Sequence, residues 1–327
     1  MVRRALLLLL LAGLWPAAPA QAQLSSILFV QSTPAETEIE VSAGGNPGTA
    51  RVQISVPAGY RLDVGRPIGA VVGRASLDLA SAASPGGEGS MVEGDIVVAD
   101  PSRYAGNARL AACASGAHAT VWRLEPLDVP IFVDAASGPD AALGGYELRA
   151  CFDLPPGLSF GDLELDLLRT IAPPTLPGIY VWHALITPVT AAGTIDERGT
   201  WEVRALVPWP AVLTLHARAG KAKGRYLLSG RLLLAGKPRG GATIRILRLT
   251  PSTGGGSTIT LTLGTPRSAE TDRSGRFRTA VRVKRRTDFF ALWFPFPREG
   301  CSSPSTAPGG CQTESTSPVL SHRVAVR

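Results

Sequence analysis

Four histidines, His118, His183, His216 and His322, are the only imidazoles in the 327-residue chain. None stands in an H-E-x-x-H motif or at another metal-ligand spacing, so a zinc hydrolase has no ligand set here. No G-x-S-x-G turn presents a serine nucleophile. His183 lies in "IYVWHALI" beside Tyr180 and Trp182, a pattern that predicts an aromatic strand. Pairing His183 with Asp196 or Glu197 near a serine is the nearest approach to an acid–base constellation. The paired carboxylates of a glycosidase are defined by their separation in space, which a sequence does not give. These residues assign no catalytic, cofactor or metal site.

The start of the chain explains the cysteines. "MVRRALLLLLLAGLWPAAPAQAQ" places Arg3 and Arg4 before an apolar run, then Ala20-Gln21-Ala22, the A-x-A pattern of a secretory signal peptide. The run is too short to span a bilayer, which takes about 20 residues. Cleavage after Ala22 would leave 327 − 22 = 305 residues, with no later apolar run suited to a transmembrane segment. In an exported chain, Cys113, Cys151, Cys301 and Cys311 imply disulfides. Four cysteines allow three pairings. Cys113–Cys151 and Cys301–Cys311 are favoured, because each bridge then stays within one candidate domain. No C-x-x-C redox or zinc motif is present.

Charge is the strongest chemical signal. In "GRFRTAVRVKRR", Arg276, Arg278, Arg282 and Lys284 share one parity, while Phe277, Val281 and Val283 share the other. On a strand this puts the cations on one face and the apolar side chains on the opposite one. Arg285 and Arg286 extend the cluster into the next turn, and Arg218, Lys221, Lys223, Arg225, Arg245 and Arg248 lie nearby in sequence. Such a face would attract a cell-wall polyanion, an acidic glycan or an anionic membrane surface. It also serves as a solvated face that resists aggregation. Sequence-specific nucleic-acid recognition is not expected, because no exposed aromatics or binding motif accompany the charge.

Acids show the same alternation elsewhere. Glu36, Glu38 and Glu40 share a parity, as do Asp162, Glu164 and Asp166 opposite Leu163, Leu165 and Leu167. No D-x-D-x-D-G loop exists to wrap a calcium ion. From Gln23 to Pro210 there are 11 Arg, no Lys and 21 acids, giving 11 − 21 = −10; from Ala211 onwards 20 − 5 = +15. The acidic half docking on the basic one is therefore a further expectation.

The elements that must position these residues are strands. "TEIEVSA", "ARVQISVP", "GDIVVAD", "TVWRLEP" and "YELRACFDL" are short β-rich runs separated by Gly, Pro, Asp and Ser. This predicts an all-β protein of two antiparallel β-sandwich domains after a cleaved signal peptide. The expected divisions are a signal peptide at 1–22, an acidic domain at 23–206, a linker at 207–210 in "VPWP", and a basic domain at 211–327.

"GKPRGGATIRI", Gly236 to Ile246, and "TDRSGRF", Thr271 to Phe277, resemble bacterial Ig-like and carboxypeptidase-regulatory-like β-sandwich modules. The resemblance rests on Gly236, Pro238, Gly241, Ala242, Ile244 and Ile246 in the first motif, and on Thr271, Asp272, Gly275 and Phe277 in the second. It covers about a third of the chain. It implies an Ig-like second domain acting as a spacer or an adhesive or carbohydrate-contacting unit. The isopeptide cross-link of some such modules is excluded, since residues 211–327 contain no Asn. Independently of the resemblance, Asp272 and Gly275 predict a hairpin turn feeding the basic strand.

Together these readings give an exported, non-enzymatic bacterial surface or extracellular protein with a structural or binding role. The alternative is a secreted glycan-active enzyme with an Ig-like accessory domain. The polar segment Arg298 to Pro318, stapled by the expected Cys301–Cys311 bridge, is a second candidate contact region.

Overall fold

The computed structural model describes residues 26–43, 48–81, 90–153, 158–190, 193–253, 259–295, 313–316 and 319–326. The signal segment, Cys301, Cys311 and most of the 298–318 segment lie outside these residues. The described chain is almost entirely β, with one short α-helix, Ala108–Cys113, and three 3-10 turns. No described helix is long and apolar enough to cross a membrane.

Eleven strands between Ile27 and Trp209 form one continuous antiparallel sheet. Their spatial order is Ile27–Ser32, Glu36–Ser42, Leu158–Leu168, Val71–Ser81, Ser90–Ala99, Thr120–Leu124, Val129–Ala135, Tyr146–Cys151, Thr49–Val56, Gly178–Pro188 and Trp201–Trp209. A twelfth strand, Thr313–Thr316, joins the last of these in parallel, with Arg204 opposite Glu314. The sheet is thus one ribbon of strands, and its C-terminal addition departs from the antiparallel rule.

This ribbon wraps round a single apolar core. Side chains from the first strand (Leu28, Val30), the middle strands (Ile96, Trp122, Ile131) and the eleventh (Val203, Ala205) belong to one buried cluster. The first and eleventh strands come together where Trp201 Nε1 donates to Ser26 Oγ at 3.0 Å. Alternation dictates this arrangement: in Glu36–Ser42, Thr37, Ile39 and Val41 are buried while Glu36, Glu38 and Glu40 face out. Each fully buried large side chain, such as Trp122 or Trp182, contributes about 1.5–3 kcal/mol relative to exposure.

The opposite face of the sheet is partly covered. The turn Pro101–Tyr104 and the helix Ala108–Cys113 lie over Val121 and Phe132, forming a second small apolar cluster. The predicted Cys113–Cys151 disulfide forms and ties this segment to the Tyr146–Cys151 strand. Asn107 Oδ1 caps the helix by accepting from the Arg109 and Leu110 amides at 3.0 and 3.1 Å.

Residues 207–209, at the expected linker, are the end of the Trp201–Trp209 strand, and Val207 is buried in the first core. Beyond Pro210 a separate apolar cluster gathers Leu215, Leu228, Leu232, Ile244, Phe277 and Trp293. Two five-stranded sheets enclose it. One centres on Arg225–Leu234, flanked by His216–Ala219 and Arg276–Arg282; the other contains Thr243–Thr253, Ile259–Glu270 and Thr287–Trp293.

The two glycine-rich motifs are fastened to one another. Thr271 Oγ1 donates to the Arg239 carbonyl at 2.7 Å and accepts from the Ala242 amide at 2.8 Å. Asp272 Oδ1 accepts from the Ser274 and Arg276 amides at 2.8 and 3.0 Å. Gly275, at φ +73°, completes the turn, and a Cβ there would come within 2.5 Å of the Leu232 carbonyl oxygen. The predicted Asx turn therefore aims the basic strand.

Candidate functional site

The strand Arg276–Arg282 alternates as its sequence predicts. Phe277 and Val281 are buried, whereas Arg276, Arg278 and Arg282 are exposed. Register supplies what a single strand cannot show. Arg231 stands opposite Arg276, Ser229 opposite Arg278, Leu227 opposite Ala280 and Arg225 opposite Arg282. On the far side of Arg225–Leu234, His216 faces Ser229 and Arg218 faces Leu227. Six arginines, residues 218, 225, 231, 276, 278 and 282, thus project from one face of three adjacent strands.

Among the described residues, no ion pair engages any of these six arginines. Like charges directly opposite on paired strands are destabilising, so this face carries an electrostatic cost in the isolated protein. Glu270 and Asp272 lie at its edge, in a groove of about 720 Å³ with His216, Arg231, Arg276 and Arg278. Asp272 is committed to its own turn: hydrogen bonds from Ser274 and the Arg276 amide hold its carboxyl below the ordinary value. Arg276 adds a weaker coulombic pull on the same carboxyl, so two rim acids, Glu270 and Asp272, stand against six arginines.

Other members of the predicted cluster are placed differently. Lys284, Arg285 and Arg286 are exposed but follow the strand's end at Arg282. They extend the positive zone without sharing its flat lattice. Arg245 and Arg248 belong to the other sheet of this region, in Thr243–Thr253, and Arg245 lies 5.4 Å from the centre of the Phe294 ring. Nearness in sequence did not bring these two to the arginine face.

The wrapped sheet carries the opposite sign. Glu38 stands opposite Asp166 and Glu40 opposite Glu164; Asp166 then pairs with Arg74, and Glu164 with Ser76. One strand further, Arg74 faces Asp95 and Ser76 faces Glu93. Counting Glu36, Asp162 and Asp78, nine carboxylates share this outer face with one cation, Arg74, giving −9 + 1 = −8 when all are ionised. Among the described residues, Arg74 forms an ion pair with Asp95 alone, at 3.8 Å.

Crowding perturbs these acids. Burial, then repulsion from Asp166, Glu164, Glu40 and Glu36, pushes the Glu38 carboxyl up to about 7. Burial, followed by Asp162 and Glu164, raises Glu40. Burial raises Asp166 against the pull of Arg74. Carboxylate oxygens of Glu38, Glu164 and Asp166 come within 4.8 Å of one another, a grouping common on acidic surfaces. Among the described residues, no ion pair joins this acidic face to the arginine face, so the expected docking of the two is not made through these groups.

His183 does not pair with Asp196 or Glu197. Its Nδ1 lies 2.5 Å from Glu202 Oε1, and Arg204 donates through both Nε and Nη2 to the same carboxylate at 2.9 Å. Desolvation raises Glu202, but the bonds from Arg204 and His183 outweigh it and leave the carboxyl below its ordinary value. Ser55 stands opposite His183 in register, yet it is 0% exposed and its hydroxyl makes no hydrogen bond. A nucleophile–base pair is not assembled there. Sequence reasoning missed Glu202 because its partner register depends on the Gly178–Pro188 and Trp201–Trp209 pairing.

No known protein family and no curated protein matches the chain. A crystal structure of dimeric latent PorU from Porphyromonas gingivalis is similar over 92% of this chain and 32% of that one, at 9% identity and a TM-score of 0.21. This chain therefore spans about a third of that protein's length. A likeness so slight carries no argument about fold or function.

Proposed function

We propose that the chain is an exported, non-enzymatic extracellular or cell-surface protein whose arginine face binds an extended polyanion. Its organisation in this reading is a cleaved signal peptide at 1–22, an acidic β domain at 23–206 and a basic Ig-like β-sandwich at 211–327. The two separate apolar clusters support that division. The A-x-A site and the Cys113–Cys151 bridge support export.

One observation carries the binding role: six arginines on three adjacent strands with no acid opposite them in register and no ion pair among the described residues. A solvated face that only resists aggregation does not need its arginines set directly opposite one another, where they repel. A face that receives repeated negative charge gains from that setting, because the ligand removes the repulsion. An acidic glycan or cell-wall polymer offers charges in such a series, and arginine pairs with carboxylate, sulfate and phosphate through two parallel donors.

The test is retention of the mature chain on immobilised dextran sulfate. The Arg278→Glu/Arg282→Glu variant should elute at markedly lower salt. A charge-matched control, Arg61→Glu/Arg198→Glu, alters exposed arginines outside the face and should elute nearly as the parent does. Equal losses in both variants would reduce the effect to net charge and remove the site.

A further inference from the structure

The arginine face and the acidic face belong to one chain and are not paired with each other among its described residues. We propose that they pair between copies: the arginine face of one molecule receives the acidic face of a second, giving head-to-tail association. This deepens the polyanion reading, on which it rests, by naming a partner for the same face.

Three observations carry it. The first is sign and size. Residues 218, 225, 231, 276, 278 and 282 present +6, and the outer face round Glu38, Glu40, Glu164 and Asp166 presents −8 when fully ionised. Neither face holds enough opposite charge to compensate itself.

The second is spacing. Both charge arrays are built on antiparallel sheet, so both repeat at about 4.8 Å between strands and about 6.8 Å along alternate residues. In-register pairs form the rows of each: Arg231–Arg276 and Arg225–Arg282 on one, Glu38–Asp166 and Glu40–Glu164 on the other. A cation lattice and a carboxylate lattice with one repeat can meet in several contacts at once.

The third is the apolar component at each surface. Leu227 is 40% exposed within the arginine face, and Met91 is 65% exposed at the rim of the acidic face, opposite Asp78. These side chains give a contact between the faces apolar area to bury beside its ion pairs. Because the two faces differ, the contact is heterologous: it leaves one free face of each kind on every dimer and propagates unless the rotation closes a ring.

The experiment measures mass against concentration by light scattering, with the mature chain at low salt and at 0.5 M NaCl. The parent should grow beyond a dimer at low salt and dissociate at high salt. Glu40→Lys/Glu164→Lys and Arg278→Glu/Arg282→Glu should each remain monomeric. An equimolar mixture of the two variants should stop at dimers, since each supplies one intact face. That dimer would also show that both variants are folded.

A parent that stays monomeric at about 100 µM and low salt overturns the proposal. So does either variant associating like the parent, because another surface would then be responsible. Dextran sulfate separates this failure from failure of the polyanion reading. The Glu40→Lys/Glu164→Lys variant keeps its arginine face and should still bind the polymer. Binding without self-association leaves the polyanion reading standing alone; absence of both removes the two together.

Discussion

Arg225 and Arg282 stand directly opposite one another on adjacent strands, both exposed and neither ion-paired among the described residues. Arg282→Glu converts this like-charge pair into an opposite one. The exchange should stabilise the fold by about 0.5–1 kcal/mol while weakening retention on a polyanion. Urea denaturation and salt elution of the same variant measure the two effects. A gain in stability with a loss of binding is the expected signature of a face kept for a ligand.

The Thr271–Gly275 turn aims that face. Gly275→Ala would force a side chain at φ +73° towards the Leu232 carbonyl and should cost more than about 1 kcal/mol. Asp272→Ala removes the acceptor of the Ser274 and Arg276 amides and should lower the denaturant midpoint as well. Denaturant midpoints at constant m-value check both.

The Cys113–Cys151 bridge closes a loop with a sequence separation of 38. Replacing both residues by Ala should lower stability by about 4 kcal/mol on the chain-entropy account. Amide exchange should quicken first in 101–119, the segment the bridge holds over Val121 and Phe132. Exchange that quickens uniformly would mean the bridge acts on the whole sheet.

Glu38 sets a pH dependence. Its folded pKa of about 7 lies above the ordinary 4.5, so between these values the folded state binds more protons than the unfolded one. This group's contribution to stability therefore falls as pH rises from about 4.5 to about 7 and stays low above that. Groups facing it are Gln31 on one neighbouring strand, Asp166 and Glu164 on the other and Glu36 and Glu40 on its own. Glu38→Gln should raise Tm at pH 8 and flatten the profile between pH 5 and 8. A Tm at pH 8 unchanged by the substitution would contradict the crowding.

The arginine stripe was legible because a period of two needs only one strand. The Asx turn was legible because Asp272 and Gly275 act within four residues. The pairing of Arg276 with Arg231, or of Glu38 with Asp166, was not, since each depends on strands far apart in the chain. The same limit hid Glu202 as the partner of His183 and the parallel addition of Thr313–Thr316. Alternation also predicted separate stacked sheets for the first half, where one ribbon of strands wraps its own core. Periodicity says which residues face inwards, and only register says what lies across from them.

The central claim is that a flat array of arginines meets a series of negative charges. The most direct measurement is the slope of log affinity for dextran sulfate against log salt concentration. By the counterion-release relation, six engaged arginines give a slope of about −5, and each arginine replaced by Gln should reduce its magnitude by about one. Stepwise loss for residues 225, 278 and 282, with none for Arg61 or Arg198, is the predicted result. A slope that ignores which arginine is removed would contradict the account.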